Sequence, residues 1–171
     1  MISKKMLGAL NDQIHHELES AYIYLSMSAY FTAESLPGFA QWMKTQFDEE
    51  MIHAFKFYTF ILTRGERVVL QPIEAPPADY GSALEAFEKA LAHEQKITSD
   101  IHKLYKLATE ENDYPSLSML QWFIDEQVEE EENVGAVVDD LKRVQGSGQA
   151  LLLLDRELGQ RQLAAEEDAA A

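Results

Sequence analysis

The stretch FAQWMKTQFDEEMIHAFKFYTF, residues 39–60, decides the architecture. At the 3-4 spacing of a bundle helix it puts Phe39, Met43, Gln46, Glu50, His53, Phe57 and Phe60 on one face. A glutamate and a histidine three residues apart therefore interrupt an apolar stripe at mid-length. Three further segments read the same way. The first gives Leu7, Leu10, Ile14, Glu17, Ala21, Tyr24, Ser28 and Phe31. The third gives Leu84, Phe87, Leu91, Glu94, Thr98, Ile101 and Tyr105, and the fourth Leu120, Phe123, Gln127, Glu130, Val134, Val137, Leu141 and Val144.

Punctuation sets the segment ends. Ser3 is a helix N-cap candidate, Leu36-Pro37-Gly38 interrupts the chain, and Gly65 follows the second segment in the C′ position. Pro72, Pro76, Pro77 and Gly81 mark a long connection. Ser82 and Glu85 then form a capping-box pair, and residues 111–115 turn the chain into the fourth segment. Each long segment, at roughly 28–32 residues, makes a helix of about 40–48 Å. Short links after the first and third segments predict two antiparallel hairpins, and the long middle link predicts a crossover between them. The expected fold is all-α: a four-helix bundle over residues 1–145, a short fifth helix within 146–163, and a disordered acidic, alanine-rich tail over 164–171.

Composition narrows the function classes. The chain has 171 residues, with 14 Lys+Arg against 30 Asp+Glu and a net charge of −16. Such a balance disfavours nucleic acid and anionic membranes, which are bound through clustered Lys and Arg, and it attracts cations. With no cysteine, thiolate zinc sites, iron–sulfur clusters and thiol catalysis are excluded. No hydrophobic leader opens the sequence and no apolar run spans a bilayer, so a cytoplasmic setting is expected.

The polar residues on the stripes then meet at one height. The midpoint of Glu17 and Glu50, residue 33.5, falls close to the turn at 36–38, and that of Glu94 and Glu130, residue 112, falls in the turn at 112–115. Each hairpin thus brings its two glutamates level to within about one helical turn, ~5 Å. His53 and Gln127 join them by i, i+3 spacing. Four unpaired buried anions would cost well over ~10 kcal/mol, against a whole-domain stability of ~5–15 kcal/mol. No lysine lies on the stripes, and the candidate cation Arg64 sits at a helix end. A pair of divalent metal ions fits the deficit, and hard carboxylate oxygens with one imidazole suit iron.

At this point the sequence resembles the bacterial non-haem ferritins of the ferritin-like diiron family, over nearly its whole length. Glu17 with Tyr24, the run 49–53 (EEMIH), the run 93–95 (HEQ) and the run 120–131 (LQWFIDEQVEEE) carry the resemblance. It implies that Glu17, Glu50 and His53 hold one iron, and that Glu50, Glu94 and Glu130 hold the second, with Gln127 hydrogen-bonding beside it. It further implies a third iron position at Glu49, Glu126 and Glu129, and a place for Tyr24 next to the diiron pair. Met51 keeps haem in view, but the fourth helix carries Gln127-x-x-Glu130 rather than a second Glu-x-x-His, so haem is not expected. The implied activity is a ferroxidase that oxidises Fe(II) to Fe(III) with O2 or H2O2, two oxidants between which the sequence does not choose. The implied assembly is a homo-oligomeric, hollow 24-subunit shell that stores ferric oxide mineral, with the apolar run 151–154 (LLLL) at the fourfold axes. His15, His16, His93 and His102 lie off the stripes and are read as surface or packing residues. A rubrerythrin-like enzyme would need a cysteine-ligated iron, DNA-protecting mini-ferritins lack the fifth helix, and a metal-free interaction bundle does not account for the buried glutamates.

Overall fold

A computed structural model describes residues 2–163; the tail expected to be disordered lies outside them. The described residues form five helices: α1 (Lys4–Ala33), α2 (Pro37–Thr63), α3 (Ala83–Glu111), α4 (Tyr114–Val144) and α5 (Gly148–Leu158). The caps explain the ends. The Ser3 hydroxyl accepts from the Met6 N–H, Pro37 opens α2 where a backbone N–H would go unpaired anyway, and Ser82 and Glu85 complete a reciprocal capping box. Asn112 ends α3 in the left-handed region at φ 55°, and Gly65 follows α2 at φ 77°.

α1 packs along α2, α3 along α4, and α1 against α3, with the 64–82 connection running between the hairpins. The core divides in two around mid-height. One half is built on Phe31, Phe39, Met43, Phe87, Val134 and Leu141, the other on Leu10, Ile14, Phe57, Ile101, Leu120 and Phe123. The site lies between them. Arg64 pairs with Asp113 at 3.0 Å, tying the end of α2 to the turn between α3 and α4.

The stripes of α2 and α4 fall where the spacing puts them, apart from half-buried residues at their ends. In α3 the buried series is Phe87, Ala90, Glu94, Ile97, Ile101, Leu104 and Ala108, whereas Leu84, Leu91, Thr98 and Tyr105 are only half-buried. Both series share Phe87, Glu94 and Ile101 and differ by one residue between them. Small alanines admit the close approach there, and the larger side chains lie on the flank. In α1, Met27 takes the buried place expected of Ser28.

α5 folds back onto α2 and also touches α4. Its Asp155 carboxylate accepts from the backbone N–H groups of Gly38 (2.8 Å) and Phe39 (3.0 Å), supplying from a distant segment the N-cap that Leu36 cannot provide. Of the LLLL run only Leu154 is buried, and Leu152 and Leu153 stay more than half exposed. No helix is long and apolar enough to cross a membrane.

Candidate metal centre

Each long helix delivers one fully buried glutamate to the middle of the bundle: Glu17 from α1, Glu50 from α2, Glu94 from α3 and Glu130 from α4. His53, one turn beyond Glu50, is also buried. Its Nδ1 faces Glu50 Oε2 at 3.5 Å and Glu17 Oε2 at 4.0 Å, and its Nε2 lies 3.8 Å from Glu126 Oε1. Two triads have ligand atoms close enough to share an ion, Glu17–Glu50–His53 and His53–Glu126–Glu130. The ring of His53 is held edge-on by Trp122 and Phe123.

Neutral donors hold carboxylate oxygens of Glu17, Glu94 and Glu130. Gln13 Nε2 donates to Glu17 Oε1 at 2.8 Å, Gln46 Nε2 donates to Glu130 Oε2 at 2.8 Å, and the Tyr24 hydroxyl donates to Glu94 Oε1. Gln127 Nε2 reaches Glu94 Oε2 at 3.5 Å and Thr98 Oγ1 at 3.2 Å. Glu17 Oε2 and Glu50 Oε2 are buried with no hydrogen-bond donor among the described residues. Both point at His53. Orphaned buried acceptors are costly, and together with the His53 ring nitrogen these two oxygens make a donor set that suits a hard cation.

The electrostatics carry the same message. Burial, reinforced by the charge of Glu94, pushes the Glu50 carboxyl well up, with His53 opposing. Burial and then Glu130 push Glu94 up to about 8, against the hydrogen bonds from Tyr24 and Gln127. Burial raises Glu130, although His53 and the hydrogen bond from Gln46 counter it. Burial alone would lower His53, but the carboxylates of Glu126 and Glu50, 3.8 and 3.5 Å from its ring nitrogens, outweigh it and hold the imidazole well above its usual range. Tyr24 is raised by burial and by Glu94.

The residues of the expected third position are not brought together. Glu126 joins His53 and Glu130, whereas Glu129 is exposed and Glu49 turns to Arg161, with Oε2 2.7 Å from the guanidinium. Burial still carries Glu49 up to about 7, the Arg161 charge only partly offsetting it. His93, read as a surface or packing residue, packs inside the bundle's edge. It is half-buried against Tyr24, its Nε2 lies 2.7 Å from Ser20 Oγ, and burial followed by the Lys96 charge lowers it to about 4. Gln13, Gln46 and Arg161 are the site neighbours that sequence reasoning passed over. Gln46 sat on the stripe, and Gln13 is one turn before Glu17, so both carried a spacing signal; Arg161, beyond α5, carried none.

A ferritin-like domain model matches residues 7–144. This chain belongs to the ferritin family. The bacterial non-heme ferritin of Staphylococcus aureus is 40% identical over 161 residues, covering 94% of this chain and 97% of that protein, and the Staphylococcus epidermidis protein matches equally well. Among solved structures, the open pore ferritin of the hyperthermophilic archaeon Archaeoglobus fulgidus superposes with a TM-score of 0.94 at 45% identity, over 95% of this chain and all of that one. A humanized archaeal ferritin gives 0.95 at 44% identity, over 96% of this chain and all of that one.

Proposed function

We propose that this ferritin stores iron and oxidises it on entry. The observation that carries the reading is the pair of orphaned buried oxygens, Glu17 Oε2 and Glu50 Oε2, converging on His53 among four buried glutamates. Glu17, Glu50 and His53 take one Fe(II), and Glu50 with Glu94 and Glu130 takes the second, Gln127 and Gln46 holding the outer oxygens in place. Glu126 is placed to receive iron that leaves through His53 and Glu130; Glu49 and Glu129 complete that third position only if both swing inward.

Each Fe(II) gives up one electron, so a pair reduces H2O2 to water or O2 to H2O2. The proteins' part is to bring both ions to one oxidant at once and to absorb the charge change. Metal ligation needs the anionic carboxylate, so a proton that burial favours on Glu50, Glu94 or Glu130 is given up as the cation arrives. Tyr24, donating to Glu94, orients one ligand of the second iron. That second position lacks an imidazole and is held by oxygen alone, which favours passage of the product over retention.

Storage needs a container. The chain is read as one subunit of a hollow 24-subunit homo-oligomer, with the exposed Leu152 and Leu153 covered by neighbouring copies of α5. At −16 per chain, such a shell draws cations toward its pores and cavity. The cytoplasmic setting and the absence of nucleic-acid and membrane partners belong to the same reading. The test is to add Fe(II) aerobically to the purified protein, follow ferric absorbance, and size the product with iron detection. Hundreds of irons co-eluting with a particle near 24 chains in mass support storage. Oxidation that stops near two irons per chain in a small oligomer leaves a diiron enzyme without a store.

A further inference from the structure

The chain carries a cation of its own at the edge of the metal centre. Arg161, three residues beyond the end of α5, places NH2 2.7 Å from Glu49 Oε2 and lays its guanidinium over the Trp42 ring, 4.3 Å from the centroid. Both partners are largely buried, at 18% and 14% side-chain exposure. Glu49 is the immediate neighbour of Glu50, and the charges of Glu130, His53 and Glu126 all reach it. The guanidinium also acts on Glu130. Arg161 therefore lies in the field of the site ligands.

The arm that delivers Arg161 is fixed in register. Asp155 caps the α2 N-terminus at Gly38 and Phe39, and α5 sits so close to Gly38 that a Cβ there would overlap the Asp155 backbone. Gly159 also passes close to α2, where a Cβ would lie 3.2 Å from Gly38 Cα. From that anchor the chain turns through Arg161 N–H to Leu158 carbonyl, 3.2 Å, and the side chain runs along α2 to Glu49. Capping, close helix contact, ring stacking and ion pair all point the same way.

We propose that Arg161 is a positioning residue that holds the outer carboxylate, Glu49, in the iron-free chain and is displaced when iron moves outward from the buried pair. The inference rests on the reading of the buried cluster as an iron-oxidising site. A guanidinium carries one positive charge, Fe(II) two and Fe(III) three, so the ferric product competes for Glu49 far better than the incoming ferrous ion does. Glu49 is thereby kept out of the entry reaction and opened to the product. When the iron has passed on, the ion pair re-forms.

The experiment titrates the assembled protein anaerobically with Fe(II) by calorimetry, and aerobically for the rate of the first irons and of later ones. Three chains are compared with wild type: Arg161→Gln, Glu49→Gln and the double variant. Expected for wild type are about two tight Fe(II) per chain. Expected for Arg161→Gln is a third, bound at least about tenfold more tightly than in wild type, with the first two irons binding and oxidising as before. The double variant loses the third ion, which assigns it to Glu49. If Arg161→Gln binds and passes on iron as wild type does, or if its third ion survives in the double variant, the proposal is overturned. Should Arg161→Gln fail to assemble, Arg161→Lys, which keeps the charge but not the planar fork, is compared with Glu49→Gln, and equal third-ion affinity in Arg161→Lys and wild type overturns it. A wild type that neither binds paired Fe(II) nor oxidises it refutes the underlying reading instead.

Discussion

Gly38→Ala is a single methyl group whose effect is set by one contact. At Gly38 a Cβ would fall within the van der Waals radius of the Asp155 carbonyl oxygen and close to its carboxylate, and the obstacle is helix backbone rather than the end of a flexible side chain. Overpacking costs about 1–3 kcal/mol when neighbours can yield, and here yielding means lifting α5 from α2. Lifting it forfeits the two hydrogen bonds from the Gly38 and Phe39 N–H groups to Asp155 Oδ1, each about 1.5–3 kcal/mol for a charged acceptor. The burial of Leu154 goes with it, roughly a further 1.5–3 kcal/mol, while the freed segment regains conformational entropy that cancels part of the loss. The net expectation is about 3 kcal/mol, or roughly 6–12 °C in Tm for a chain of this length. Differential scanning calorimetry on the variant and hydrogen exchange across residues 148–158 give the reading. Faster exchange there should accompany the lower Tm, while the buried pair still binds Fe(II). A Tm within about 2 °C of wild type with unchanged α5 protection would refute the docking argument.

Tyr24→Phe keeps the ring in the core and deletes the hydroxyl that donates to Glu94; losing a hydrogen bond to a charged group at about 1.5–3 kcal/mol should weaken the second Fe(II) roughly tenfold or more, read by anaerobic calorimetry. The iron-free protein should lose stability as pH rises from about 6.5 to 8. A carboxyl whose folded pKa is raised, such as Glu49 at about 7 or Glu94 at about 8, stabilises fully below its unfolded pKa and loses that contribution as pH climbs through the folded value. His93, lowered to about 4, has the opposite sign and acts only below pH 6.5, so thermal melts at pH 6.5 and 8 isolate the site. Anaerobic Fe(II) at a hundredfold its Kd should add about 2.7 kcal/mol and flatten that alkaline fall, and Glu50→Ala should abolish the added stability while leaving the fall of the iron-free protein in place.

Much of this was legible from residue spacing. Because helix rise is constant, midpoints of Glu17 and Glu50, and of Glu94 and Glu130, that fall near the two turns are enough to bring four carboxylates to similar height. Capping residues such as Ser3 and Ser82 gave the helix ends for the same local reason. What spacing could not give was phase, where two series fit one helix: on α3 the choice between Leu91 and Ala90 depends on how closely the neighbouring helix approaches. Nor could it give side-chain direction at the site's edge. Glu49 and Glu129 have suitable positions, yet one is claimed by Arg161 and the other faces outward. The long-range cap from Asp155 to α2 was equally silent, since it joins residues 117 apart through tertiary packing alone.

The central claim is that two irons are held together by Glu17, Glu50, His53, Glu94 and Glu130. Loading iron-free protein with two Fe(II) per chain, oxidising it, and freezing it for Mössbauer and electron paramagnetic resonance spectroscopy tests that directly. Coupled ferric pairs, silent in paramagnetic resonance and lost in Glu50→Ala, are predicted. A spectrum of isolated high-spin ferric ions in wild type, or one unchanged by Glu50→Ala, would contradict it.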